Sequence, residues 1–280
     1  MKKITPDELK VFLEYVHKIS GISIDDKKAY LLESRLARLL QQEGCNSFKQ
    51  LYLKAVSPGG KGVERKIIDA ITTRETLFFR DRSPFEMLQY KILPDLIDRR
   101  VAGLDDSSIA SIRIWSAACS TGQEIYSIAI VLKELLGDLE KYSIRLLGTD
   151  ISDAAIAYAS YGQYSKIEVE RGLQKAQLLK YFDPNGSGWR IKDEIRAITM
   201  FKRMNIMEPF RGLGRFDIIF CRNLLIYFNL EDRKEILDKI ADVLENDGYL
   251  ILGSSETLMG VSSRFRPHRY LRSVFYQLTN

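Results

Sequence analysis

Ile112-Arg113-Ile114-Trp115-Ser116-Ala117-Ala118-Cys119-Ser120-Thr121-Gly122-Gln123-Glu124 begins as an apolar β pattern, breaks into small residues, and then opens a helix predicted over residues 123–136. Small residues at a strand–helix turn let a ligand approach the backbone, and the helix start offers unpaired N–H groups. Any tight strand–helix turn also favours small residues, so this stretch alone leaves the bland reading open. Only Gly122 of the turn is glycine, so the G-x-G-x-x-G pattern of pyrophosphate-binding folds is missing. Glu124 would repel a phosphate but can accept from an ammonium. A cofactor ending in an amino-acid tail therefore fits better than a dinucleotide.

Working outward, residues 144–149 read as a strand ending at Asp150, and 153–160 as a helix. Asp150 follows the first loop at the spacing of an acid that accepts from both hydroxyls of a ribose. It can equally cap the next helix. Residues 216–220 form a third apolar strand, followed by Cys221-Arg222-Asn223-Leu224-Leu225-Ile226-Tyr227-Phe228. Residues 231–244 read as a helix, 249–252 as a strand, and 273–278 as an added edge strand. Apolar strands alternating with helices predict a parallel sheet covered on both faces.

Residues 161–203 interrupt that rhythm. The turn signal Asp183-Pro184-Asn185-Gly186-Ser187-Gly188 predicts a small inserted β hairpin there. Residues 5–70 read as helices. Thr5-Pro6-Asp7-Glu8 is a start signal, and residues 23–28 are expected to open a second helix striped by Leu32, Leu36, Leu39 and Leu40. Ile71-Thr72-Thr73-Arg74-Glu75-Thr76-Leu77-Phe78-Phe79-Arg80-Asp81 has no clear period.

The 280 residues are 45% hydrophobic, enough for one large core, or for one medium core plus a small accessory unit. No run reaches the roughly 20 apolar residues of a membrane helix, and no signal peptide opens the chain, so a cytoplasmic location is expected. Three dispersed cysteines and two isolated histidines offer neither a zinc site nor a histidine-based triad. Of the net charge of +5, residues 1–70 carry +4, from 13 Lys and Arg against 9 Asp and Glu. That bias suggests an acidic partner but is too mild to indicate nucleic acid.

Four blocks together resemble the CheR family of chemotaxis receptor glutamate O-methyltransferases. They are Thr72 to Arg80, Trp115 to Ser127, Gly148-Thr149-Asp150-Ile151, and Phe220 to Phe228. The resemblance covers nearly the whole chain. It implies a helical N-terminal domain, residues 1–70, and a Rossmann-like S-adenosylmethionine-dependent methyltransferase domain, residues 71–280, carrying the inserted β subdomain. It implies cofactor contacts from Arg74, Thr76, Arg80, Glu124, Asp150, Asn205, Ile206, Arg222 and Asn223. Glu124 would meet the methionine tail, Asp150 the ribose, and Asn205 and Ile206 the adenine. Arg80 and Tyr227 would flank the reacting methyl as catalytic residues. Lys27, Lys28, Arg35 and Arg38 would form a basic stripe facing glutamate-rich receptor helices, with S-adenosylhomocysteine as product. The family often has Asn where this chain has Arg74. The hairpin is also short around Gly186 to Gly188, which implies that no receptor pentapeptide tether is needed. Other acceptors, or a non-catalytic cofactor-binding scaffold, are the rival readings.

Overall fold

The computed structural model describes residues 3–25, 29–102 and 109–279. Four helices come first: α1 (Pro6–Ser20), α2 (Ala29–Gln42), α3 (Phe48–Val56) and α4 (Lys61–Ile71). Thr5 caps α1 with a capping box to Glu8, and Pro6 sits in the first turn where its missing N–H costs nothing. The leucine stripe of α2 is buried with Phe12, Phe48, Leu51 and Ile67 in one small core.

The expected helix opening at residues 23–28 is not found in its first half. Ser23, Ile24 and Asp25 are non-helical, and residues 26–28 lie outside the described residues. The Ser23 N–H instead donates to the Tyr227 carbonyl at 2.8 Å. A tertiary bond outweighs the local helix preference of a short polar stretch.

After the linker come α5 (Ser83–Met87), a π-helical turn (Leu88–Ile92) and α6 (Leu93–Val101). The α/β part then runs β1 (Ala110–Ala117), α7 (Gln123–Leu136), β2 (Tyr142–Asp150) and α8 (Asp153–Tyr161). The insertion follows as β3 (Gln163–Ser165), α9 (Lys166–Glu170), α10 (Lys175–Tyr181), β4 (Phe182–Asn185), β5 (Gly188–Ile191) and α11 (Asp193–Arg196). The chain returns as β6 (Thr199–Arg203), β7 (Phe216–Cys221), α12 (Leu230–Val243), β8 (Leu244–Leu252), β9 (Phe265–Tyr270) and β10 (Ser273–Leu278).

The main sheet has the order β6-β2-β1-β7-β8-β10-β9. Its first five strands are parallel, and β10 runs antiparallel to β8 and β9. Along β1, Ile112 and Ile114 enter one core with α5 to α7, while Trp115 and Ala117 enter the other with α12. Alternate side chains thus feed two layers, as the strand period requires. The insertion is a three-stranded sheet, β3-β5-β4. Its extent corrects the expected span of 161–203, because β6 pairs in parallel with β2 and belongs to the main sheet. As an edge strand β6 buries little: Met200, Lys202 and Arg203 are exposed, which hid it in the sequence.

Near the amino ends of β7 and β8, Arg100 donates to Asp217 at 2.6 Å and to Asp247 at 2.8 Å, and Asp217 also accepts the Arg113 N–H at 2.7 Å. This network ties α6 to β1, β7 and β8.

Candidate functional site

A cleft of about 500 Å³ lies beyond the carboxyl ends of β1, β2 and β7. Strand order reverses between β1 and β7, which is where open α/β sheets hold ligands. Its roof comes from Ser20 to Asp25, the face of α2 at Leu32 and Arg35, and the linker from Ile71 to Leu77. The helical domain therefore closes the cleft rather than standing apart from it.

The floor is the turn after β1. Ala118 and Ser120 adopt left-handed φ angles of 59° and 51°, and Gly122 one of 94°. Such angles strain any residue with a Cβ. They are held by the Cys119 N–H on the Thr149 carbonyl at 2.8 Å and by the Tyr164 hydroxyl on the Thr121 carbonyl at 2.8 Å. Gly122 is obligatory on a second count, since a Cβ there would lie 2.9 Å from that of Ala159. The Ser120 Oγ is buried on this floor without a partner among the described residues. An unpaired buried hydroxyl carries a desolvation cost that a polar ligand in the cleft would relieve.

Asp150 closes β2. Its two oxygens accept the N–H groups of Ser120 and Ser152, each at 2.9 Å. Burial pushes its carboxyl above the ordinary value, and those two N–H donors partly offset the rise. Each oxygen keeps a further lone pair. Glu124, in the first turn of α7, accepts from the Ser116 hydroxyl at 2.8 Å and from the Arg222 guanidinium at 2.9 Å.

Arg222 is buried, with 1% of its side chain exposed. Besides Glu124 it holds the Asp81 carboxylate at 2.8 Å and the Arg80 carbonyl at 2.9 Å, and its guanidinium lies over the Phe85 ring. The segment it grips is strained: Phe79, Asp81 and Arg82 have φ of 51°, 66° and 39°. The Phe79 N–H on the Ser127 hydroxyl at 2.9 Å pins the other end. Arg222 thus fixes the conformation that presents Arg80. Arg80 itself donates to the Glu75 carbonyl at 3.1 Å and lines the cleft.

The remaining expected cofactor residues also line the cleft: Arg74, Thr76, Asn205, Ile206, Asn223 and, beside them, Tyr227. Asn205 is oriented by donating to the Ile19 carbonyl at 3.1 Å and accepting the Met207 N–H at 3.0 Å. Arg74 is exposed and donates to the Asp69 carbonyl at 3.1 Å. Of the basic stripe, Arg35 turns inward, donating to the Ile71 carbonyl and to the Thr73 hydroxyl at 2.9 Å. Arg38, one turn on, is exposed. Lys27 and Lys28 lie outside the described residues.

Two acids were not singled out from the sequence. Asp69, near the end of α4, accepts the Ser152 hydroxyl at 2.5 Å and so ties the helical domain to the turn just after Asp150. Glu256 binds the backbone of the Asn223 turn. Their only sequence signal was position, Asp69 just before the aperiodic linker and Glu256 just after a strand end.

Comparison with known proteins matches residues 7–72 to the family model "CheR methyltransferase, all-alpha domain" and residues 74–272 to "CheR methyltransferase, SAM binding domain". The chain is 38% identical to the chemotaxis protein methyltransferase Cher2 of Pseudomonas putida, over 97% of this chain and 96% of the relative. It is 36% identical to chemotaxis protein methyltransferase 1 of Pseudomonas aeruginosa, over 96% and 97%. It is 35% identical to the chemotaxis protein methyltransferase of Borreliella burgdorferi, over 92% and 90%.

Proposed function

The chain belongs to the CheR methyltransferase family and is an S-adenosylmethionine-dependent methyltransferase of chemotaxis, and from that premise we propose that its acceptors are glutamate side chains on the cytoplasmic helices of chemoreceptors. The observation that carries this reading is Arg80 on the cleft wall. It makes no ion pair within 4 Å among the described residues and faces the same cleft as Tyr227. A guanidinium there with no carboxylate partner among the described residues suits a carboxylate acceptor.

The cleft's residues fit the cofactor. The Ser120 hydroxyl, unpartnered among the described residues, the remaining lone pairs of Asp150 and the half-buried Glu124 supply polar partners for an adenosyl-amino-acid. Bound there, S-adenosylmethionine supplies a methyl group activated by a sulfonium. Asp150 holds the ribose hydroxyls, Glu124 the ammonium, and Ile206 and Asn205 the adenine. Thr76, Arg74, Arg222 and Asn223 complete the shell, Arg222 chiefly by fixing its neighbours.

A glutamate carboxylate has a reference pKa of about 4.3 and is ionised at neutral pH, so no proton must be removed. That accords with both histidines lying off the cleft, His17 paired with Asp232 and His268 on β9. The transfer joins an anion and a cation into neutral products, so excluding water favours it. Arg80 orients the carboxylate, Tyr227 shields and steadies the reacting end, and the roof at α2 keeps water out. Alignment is then the protein's main contribution.

The exposed Arg38 of α2 supplies receptor-facing positive charge, complementary to acidic helices. Arg35 serves the linker as well. The protein acts in the cytoplasm and docks without a pentapeptide tether. Arg80→Ala and Tyr227→Phe test the reading: each lowers turnover on receptor fragments while S-adenosylhomocysteine still binds. Unchanged turnover in both variants contradicts it, and micromolar binding of a receptor C-terminal pentapeptide contradicts the tether-free docking.

A further inference from the structure

Glu256 sits in the turn after β8, where its own N–H donates to the Gly253 carbonyl at 3.0 Å. Its carboxylate gathers four backbone N–H groups. Oε2 accepts from Asn223 at 2.6 Å and Gly253 at 2.8 Å, and Oε1 accepts from Leu224 at 3.0 Å and Leu225 at 2.8 Å. Three of those donors belong to the turn that carries Asn223 and Tyr227 into the cleft. They open the short 3₁₀ segment Leu225–Tyr227, so they have no partner of their own within it. A carboxylate, with lone pairs on both oxygens, accepts all four at once.

The arrangement also accounts for Gly253. A Cβ at that position would stand 2.7 Å from Glu256 Oε2 and 2.8 Å from Asn223 Nδ2. The ends of β7 and β8 therefore approach closely enough for one side chain to bridge them. Asn223 in turn is held at a left-handed φ of 54°, which its residue type tolerates but does not prefer.

We propose that Glu256 is a positioning residue for methyl transfer, acting through the Asn223–Tyr227 turn. This rests on the reading that Asn223 faces the cofactor and Tyr227 the reacting methyl. Glu256 does not line the cleft, so its influence passes through the backbone it holds. Glu256→Gln keeps the size but turns one acceptor oxygen into a donor nitrogen facing two N–H groups. Two of the four bonds are then lost, and with them one or two of the three that hold the turn. Gly253→Ala disturbs the same contact from the other side without changing charge.

The test compares Glu256→Gln, Gly253→Ala and the exposed control Ser255→Ala in the full-length protein. S-adenosylhomocysteine affinity is measured by calorimetry, and kcat and KM by methyl transfer to receptor fragments. Glu256→Gln and Gly253→Ala are expected to lower kcat about tenfold or more with acceptor KM little changed, and to weaken S-adenosylhomocysteine binding. Ser255→Ala is expected to match the parent. In the Glu256→Gln background, Tyr227→Phe should cost less than in the parent, because Tyr227 is already displaced. Parent-like kcat and affinity in Glu256→Gln overturn the proposal. So does a Tyr227→Phe penalty that is the same in both backgrounds, which is what a purely stabilising role gives. If the parent methylates no receptor fragment, the acceptor assignment fails instead, and the affinity of Glu256→Gln still decides the proposal: parent-like affinity overturns it and a loss supports it.

Discussion

The Arg222 guanidinium lies 2.9 Å from the Glu124 carboxylate in a place where water reaches almost none of the arginine. The same arginine holds Asp81 at 2.8 Å, so one cation joins the end of β7, the start of α7 and the strained segment bearing Arg80. Removing one member of a buried pair leaves the other charge uncompensated. Arg222→Ala is expected to destabilise the fold by about 3–5 kcal/mol in urea unfolding and to abolish measurable cofactor binding. Full stability with normal S-adenosylhomocysteine affinity would show that the pair does not organise the site.

Asp150 should act on binding more than on folding. Its carboxylate is satisfied by two N–H groups and retains acceptor capacity towards the cleft. Asp150→Asn is expected to raise the S-adenosylhomocysteine dissociation constant about 10- to 100-fold, the worth of a charge-assisted hydrogen bond to a buried group. Burial holds this carboxyl above its ordinary value of 3.8, so the ionised, accepting form is lost earlier on acidification than for an exposed aspartate. Affinity in the parent should therefore begin to fall above that value as pH is lowered, while the asparagine variant stays flat. Calorimetry across the acid range measures both.

Asp247 gives the opposite sign. Hydrogen bonds from Arg100 lower its carboxyl from 3.8 to about 2, with Arg99 assisting. A depressed acid contributes stability above its unfolded value and loses it as pH falls through the folded one. Its side chain is 41% exposed, so solvent screening reduces the contribution to about 1 kcal/mol. Asp247→Asn should cost that much in urea unfolding at pH 7, and the gap between the two proteins should narrow between pH 4 and pH 2. A constant gap across that window would show that the arginines do not set its energy.

Much of this was legible from pattern because burial writes itself into sequence. The helix at Gln123–Leu136 and the strand ending at Asp150 are apolar enough for period alone to find them. The capping box at Thr5 was readable because its chemistry is local. What escaped was either weakly buried or non-local. The edge strand Thr199–Arg203 is mostly polar, and Ser23 is drawn from helix by the Tyr227 carbonyl, more than two hundred residues away. The three bonds by which Arg222 holds Glu124, Asp81 and the Arg80 carbonyl join segments far apart in sequence, so no pattern announced them. Asp69 and Glu256 act on groups brought close only by the fold, so no spacing could announce them.

Transfer of labelled methyl from S-adenosylmethionine to purified receptor cytoplasmic fragments bears most directly on the account. Label should appear on the fragments, leave as methanol on mild alkali, and map to glutamate side chains. Alkali-stable label, or tight S-adenosylhomocysteine binding with no label transferred, would contradict it.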